Sequence, residues 1–171
     1  MIYRMVFLAL LLLPGAAFAA QKPNDAQIAH IAYTAGAIDI TAAKQALTKA
    51  TNPDVKAFAE EMVRDHQAVN DKALALVKKL HVKPQDNPTS RALSKAAAAK
   101  LASLDKLSGA AYDRAYVDNE VAYHKTVNGA LRDTLIPDAH NAELKSLLKT
   151  GLQLFEAHQA HAEHLAATLA K

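Results

Sequence analysis

The sequence contains no cysteine and no tryptophan, and aromatic residues make up 5% of its 171 residues. Without cysteine, the protein has no disulfide bond, no thiolate nucleophile and no thiolate ligand for an iron–sulfur cluster. Its stability must therefore come from packing. Alanine and leucine are abundant instead, together with lysine, glutamine and glutamate, and this composition favours α-helices over β-strands.

A concentration of positive charge is also missing. Lys and Arg exceed Asp and Glu by three, and residues of both signs are interspersed along every segment. Nucleic-acid-binding proteins cluster their basic residues, so we expect no nucleic-acid partner, although the isoelectric point is about 9.0. The sequence after position 20 contains no apolar stretch long enough to cross a bilayer as a helix, so we expect no membrane span.

Residues 1–20 have the three parts of a secretory signal peptide. Arg4 gives a basic start, residues 5–13 form an apolar run that is too short for a membrane anchor, and Ala17 and Ala19 are the small residues expected before a cleavage site. We therefore expect a cleaved signal peptide and a periplasmic protein.

Caps and helix breakers divide the remaining residues, 21–171, into four long helices and one short helix. Asn24 and Gln27 have the spacing of a capping box, and Asn52-Pro53 is typical of a new helix start. The predicted helices are 25–50, 53–80, the short 91–104, 108–135, and a last one from beyond the break at 136–138 to the C-terminus. Because the connections are short, we predict a single all-α domain, a four-helix bundle with one additional short helix.

Two segments of the sequence resemble each other. FAEEMVRDHQAVN and YVDNEVAYHKTVN lie 58 residues apart and match at His66/His124 and at Asn70/Asn128, among other positions. Each segment lies in a predicted long helix. The repeat therefore places a histidine and an asparagine at equivalent points of two helices.

The histidines of this repeat fall on inward-facing rows of the predicted helices. Apolar residues of the second helix alternate steps of four and three, the spacing of a bundle core, and His66 belongs to that row. The same spacing places Glu120 and His124 on one inward row and His158 on another. We therefore expect these four polar side chains to point into the bundle.

The chain resembles, over nearly all of the predicted mature sequence, a family of exported bacterial proteins catalogued as domain of unknown function 4142. The resemblance rests on VKAFA (55–59), MVRDH (62–66), Asn70, YDRAYV (112–117), His124, Leu154 and His158. Asp39 stands where the family has an acidic residue in its first helix, whereas Glu120 departs from the Met or Gln usual in the family. The resemblance implies a ferritin-like helical bundle in the cell envelope and implies no activity.

The inward polar residues are compatible with a metal site. Glu120 and His124 are four residues apart and so project from one helix face, about 6 Å apart at Cβ. A divalent metal bound there, Cu or Zn more than Fe, could recruit His66 and His158 from neighbouring helices. Asp39, placed by the resemblance, completes the candidate set.

Two alternatives concern the same histidines. Buried neutral imidazoles can also be structural, with each ring hydrogen-bonded to a neighbouring Asp, Asn or backbone group. A di-iron carboxylate centre is not expected, because the sequence contains no Glu-x-x-His motif and residues 25–50 contain no Glu. We find no catalytic residue set and expect a protein that is not an enzyme.

The C-terminal helix carries a second concentration of histidines. His158, His161 and His164 follow one another at steps of three, so neighbouring rings can chelate a metal while all three converge poorly. We therefore predict His161 and His164 as a secondary, weak surface metal site.

These observations leave two hypotheses for the function. The first is a non-enzymatic envelope protein, related to envelope stress, that binds an envelope partner or a second copy of itself in a homo-oligomer. The second is a periplasmic metal-binding bundle that uses the inward-facing residues. The sequence does not decide between them.

Overall fold

The computed structural model describes residues 22–171, and the predicted signal peptide, residues 1–20, lies outside the described residues. All regular elements of residues 22–171 are helices and none is a strand, which confirms the predicted all-α class. Its elements are α1 (Asp25–Lys49), α2 (Pro53–Lys79), α3 (Pro88–Asp105), α4 (Gly109–Ala130), a π-helix (Leu131–Leu135), the single turn α5 (Ile136–Asp138) and α6 (Ala142–Leu169).

The helix starts follow the capping signals of the sequence. The side chain of Asn24 accepts a hydrogen bond from the backbone N–H of Gln27, whose side chain accepts one from the backbone N–H of Asn24, so the predicted capping box is present. Asn52 and Asn141 accept hydrogen bonds from backbone N–H groups in the first turns of α2 and α6. Each cap fixes where a core helix begins and hence the register of its inward row.

Helix α3 begins earlier than predicted. It starts at Pro88 rather than Arg91, because Asn87 caps it and exchanges hydrogen bonds with Ser90 in a second capping box. Proline suits the first position of a helix, where its missing N–H would have no partner. The two ends of α3 therefore lie at 88 and 105.

The predicted break around Pro137 takes a different form in the structure. The chain does not leave the helix at Ile136 but widens into a π-helix, in which the N–H of Ile136 donates to the carbonyl of Leu131, and continues to Asp138. Pro137 falls in the first turn of α5, where proline is tolerated.

Four helices surround the core, and α3 lies on the outside of α1. Helix α1 packs mainly on α2, and α4 mainly on α6, while α2 and α6 close the bundle. No helix in the described part of the chain combines the length and the apolar character needed to cross a bilayer.

The core has two apolar ends with a polar layer between them. We call the closed end the cluster around Phe58, Tyr112, Tyr116, Ala162 and Leu165. We call the open end the cluster around Ile28, Leu131, Leu144, Leu148 and Phe155. The four core helices run through both ends, so the residues halfway along each helix meet in the polar layer.

Asp113 fastens the closed end. Its carboxylate accepts hydrogen bonds from the backbone N–H and hydroxyl of Thr51, at 2.9 and 2.7 Å, and from the backbone N–H of Asn52 at 3.0 Å. These bonds attach α4 to the connection between α1 and α2.

Candidate metal centre

Five ionisable side chains meet in the polar layer. They are 1–3% exposed and come from all four core helices: Asp39 from α1, His66 from α2, Glu120 and His124 from α4, and His158 from α6. The predicted inward orientation of the histidines and of Glu120 is confirmed. Asp39, which was included by resemblance to the family, lies in the same cluster.

The donor atoms lie at distances that suit a metal ion. Asp39 Oδ2 lies 3.3 Å from His66 Nε2 and 3.6 Å from His124 Nε2. Glu120 Oε2 lies 3.7 Å from the other ring nitrogen of His124, Nδ1. Ligands bound at 2.0–2.2 Å to a tetrahedral ion are separated by about 3.3–3.6 Å. The distances from Asp39 to the two histidines therefore match those between ligands of one ion.

The cluster contains two overlapping ligand groups. One is His66, His124 and His158, and the other is Asp39, Glu120 and His124; within each group one ligand atom per residue lies within 4.8 Å of the others. The three imidazole rings are mutual neighbours, with centroids 5.3–5.7 Å apart. His124 belongs to both groups and is the centre of the arrangement.

Most donor atoms of the cluster have no hydrogen-bond partner in the protein. Both oxygens of Asp39, both ring nitrogens of His66, Glu120 Oε2, His124 Nε2 and His158 Nδ1 are buried and unpaired. The approach of Asp39 to His66 is short but is not aligned as a hydrogen bond. A buried polar atom without a partner costs about 1–3 kcal/mol. A purely structural role for these residues would be expected to satisfy them.

Two histidines are oriented by a bond through their other nitrogen. His158 Nε2 lies 3.0 Å from Asp65 Oδ2, and His124 Nδ1 lies 3.0 Å from the carbonyl oxygen of Glu120. If each of these nitrogens carries the proton and donates, His158 Nδ1 and His124 Nε2 present lone pairs to the cluster. Metal-binding histidines characteristically donate their second nitrogen in this way.

Burial sets the protonation of the centre. It raises the pKa of Asp39 to about 8, and burial, reinforced by the charge of Asp39, raises the pKa of Glu120 well above its usual value. Burial lowers the pKa of His124 to about 4 and, with repulsion from the other two histidines, lowers that of His66 to about 2. At neutral pH the imidazoles are therefore neutral and ready to bind, while the carboxyl groups hold protons that a cation can displace.

Two residues of the centre were not predicted from the sequence. Asp65 orients His158 from 93 positions away in the chain and is itself held by Arg64 Nε at 2.7 Å. Phe155 stacks on the ring of His66, with centroids 4.5 Å apart and planes at 11°. Asp65 stands directly before His66 in the repeat segment, and this position is a signal for a partner of the histidines. Nothing in the sequence distinguishes Phe155 from an ordinary core residue.

The predicted secondary site lies on the surface. His161 and His164 are both exposed, and neither belongs to a metal-ligand group among residues 22–171. His161 Nδ1 lies 2.8 Å from Glu61 Oε2 on α2, and its ring packs edge-on against Phe58. The surface site stays a prediction.

Comparison with known proteins identifies a family. A family model described as domain of unknown function (DUF4142) matches residues 12–165, which is most of the chain. Neither the curated proteins nor the solved structures provide a match.

Proposed function

Since the chain belongs to the DUF4142 family, whose description names no activity, we propose its function from the site: a non-enzymatic, periplasmic protein whose core binds one divalent transition-metal ion. Asp39, His66, His124 and His158 hold the ion, and Glu120 completes the set. The periplasmic location is proposed from the signal-like residues 1–20.

One observation carries the proposal. In the Asp39 contacts, donor atoms from α1, α2 and α4 lie 3.3–3.6 Å apart, and a ring nitrogen of His158 on α6 lies within 4.8 Å of His66 and His124. Each of these residues has a buried donor atom without a hydrogen-bond partner. A bound cation would take one donor atom from each of these residues, including one nitrogen of His66, whereas hydrogen bonds within the cluster leave both nitrogens of His66 without a partner.

The donor set favours zinc or copper(II). Three neutral imidazoles and two carboxylates offer nitrogen and oxygen ligands, and the two negative charges balance a divalent cation. Copper(I) is less suited, because the chain provides no cysteine thiolate. Asp39, His66, His124 and His158 would supply the four protein ligands of a closed zinc site, which is typical of sites that are not catalytic.

Metal content tests the proposal directly. Untagged protein is dialysed against Zn²⁺ or Cu²⁺, freed of excess metal, and measured by elemental analysis. We expect about one ion per chain in the wild type and a loss of at least tenfold in the double variant His66→Ala/His124→Ala. The matched control His161→Ala/His164→Ala removes two exposed histidines and should keep the ion.

The outcomes separate the alternatives. If the wild type holds no more metal than His66→Ala/His124→Ala, the core histidines are structural and the proposal fails. If the control variant loses the ion while the core variant keeps it, the metal is bound by the predicted surface site. Circular dichroism on both variants verifies that they remain helical.

A further inference from the structure

A cavity of about 880 Å³ occupies the open end of the bundle, between α1, α2, α4 and α6, and the first residues of α3 also line it. Its walls are mainly aliphatic. Phe155 lines its inner end and stacks on His66, so a single aromatic ring separates the cavity from the candidate metal centre. Small-molecule sites in proteins typically have volumes of about 300–1,000 Å³ and apolar walls. The cavity therefore has the size and character of a ligand site.

The cavity has a cause in the sequence. Each core helix places a small residue on its wall: Ala32 on α1, Ala73 on α2, Ala130 near the end of α4 and Gly151 on α6. Protein interiors otherwise have few voids larger than a water molecule. Aliphatic walls that are exposed to water raise the free energy of the folded protein. The small residues that leave these walls exposed are therefore unfavourable unless an apolar molecule occupies the space.

The π-helix gives a second, independent indication. Leu131, Thr134 and Leu135, all from this segment, line the cavity. π-helices are rare and recur at functional sites, where the widened turn changes the direction of side chains. In this protein the π-helix, which follows α4, forms part of the cavity wall.

The charges at the cavity exclude an ionic ligand. Among its lining residues, all of which belong to the described chain, the ionisable ones are Lys22 and Asp138. Their Nζ and Oδ1 atoms lie 2.7 Å apart and neutralise each other. A carboxylate or ammonium drawn into the cavity would have no free partner, and burying such a charge is costly. Asn24 and Thr89, among the polar lining residues, could bond a hydroxyl or carbonyl group.

The walls also limit the length of the ligand. The lining residues of α6 extend from Leu144 to Phe155, and those of α2 from Val69 to Val77, which at 1.5 Å per residue correspond to about 16 and 12 Å. We propose that the cavity binds a neutral, elongated apolar molecule, such as a medium-length alkyl or prenyl alcohol, with its polar end at the mouth. This proposal does not depend on the metal centre.

Fluorescence binding tests the proposal on the whole protein. N-phenyl-1-naphthylamine is a neutral apolar probe, and the absence of tryptophan leaves its emission free of overlap. We expect saturable binding of one probe per chain, displaced by 1-decanol and not by decanoate. The variants Ala32→Leu and Ala73→Leu fill the cavity from two different helices and should each weaken binding at least tenfold. Ala98→Leu makes the same change on the exposed face of α3 and should have no effect.

A milder variant guards against misfolding of the filled proteins. In Gly151→Ala the added methyl group would lie 3.5 Å from the Phe155 ring, an ordinary contact, and alanine is the better helix former. Binding should weaken about fourfold, as expected for roughly one methylene of lost space. The proposal is overturned if no saturable binding occurs, if decanoate displaces the probe as well as decanol does, or if binding is unchanged in Gly151→Ala and in every filled variant that folds.

Discussion

The two ends of the bundle are built from the same four helices and differ in what fills them. At the closed end, Phe58, Tyr112 and Tyr116 are fully buried. The ring centroid of Tyr116 lies 6.3 Å from the ring centroids of both Phe58 and Tyr112. At the open end, alanine and glycine stand on the walls of a cavity of about 880 Å³. The polar layer lies between them. A single chain thus packs one half for stability and leaves space in the other.

The difference explains why the polar layer can persist. Five buried ionisable residues, several without partners, lower the stability of any bundle. The closed end offsets this cost through aromatic burial and through the three hydrogen bonds that Asp113 accepts. Proteins commonly tolerate unfavourable groups at a functional site when the rest of the fold is well packed.

The largest expected effect compares equivalent leucines of the two ends. Leu165 and Leu148 lie on the same helix, 4% and 5% exposed, the first at the closed end and the second on the cavity wall. Leu165→Ala creates a new void and should lower the free energy of unfolding by about 3–5 kcal/mol, whereas Leu148→Ala enlarges an existing cavity and should lower it by about 2–3 kcal/mol. Urea denaturation of the apo protein measures both, and equal losses would contradict the comparison.

Metal binding should reduce the difference in local stability between the two ends. A ligand present at one hundred times its Kd stabilises the folded state by about 2.7 kcal/mol, which for a chain of this size raises Tm by roughly 5–11 °C. Because the ion would join all four helices at the polar layer, amide exchange at the open end should slow towards that of the closed end. Asp39→Asn serves as the control and should show neither change. A rise in Tm that Asp39→Asn retains would indicate binding elsewhere.

The affinity of the polar layer for metal should depend on pH. Burial raises the pKa of Asp39 to about 8, so this group holds its proton in the apo protein at neutral pH and must release it when the ion binds. Between pH 6 and 7 each released proton should raise the association constant about tenfold, and the contribution of Asp39 should level off above about pH 8. Burial lowers the pKa of His124 to about 4, so that ring does not compete. Titration calorimetry at several pH values gives the slope, and a flat profile would contradict these protonation states.

The fold could be predicted because its signals are local. Asn24 with Gln27 and Asn52 with Pro53 fix two helix starts within one turn of sequence. The predicted start of α3, at 91, lies three residues after the observed one, although Asn87-Pro88 carries the same signal as Asn52-Pro53. The π-helix contacts α4 and α6, and the helix periodicity of the sequence does not predict it.

The site could be predicted in part. The four–three spacing places His66, His124 and His158 on inward rows, and the resemblance to the family adds Asp39 to them. The pairing of His158 with Asp65 joins residues 93 positions apart, which helix periodicity cannot reveal. The cavity was not predicted either, because empty space results from how helices are placed relative to one another, and each small wall residue is unremarkable within its own helix.

The smallest effect concerns the surfaces of the two ends. At the closed end Lys49 donates to the Asp105 side chain at 2.9 Å and to its carbonyl oxygen, and lies 5.8 Å from the centroid of the Tyr112 ring. At the open end Arg132 bonds Glu156 at 2.6 Å, with both side chains about half exposed.

Lys49→Ala removes bonds that attach α1 to α3, together with a cation–π contact, and should lower the free energy of unfolding by about 1 kcal/mol. Arg132→Ala breaks an exposed pair within the bundle and should change it by less than about 0.5 kcal/mol. Urea midpoints at low and high salt measure the two losses. The carbonyl bond and the aromatic contact are screened less than an exposed ion pair, so the difference should persist at high salt. If both losses vanish at high salt, the surface contacts of the closed end stabilise the protein no more than those of the open end. The greater stability of the closed end then comes from its core alone.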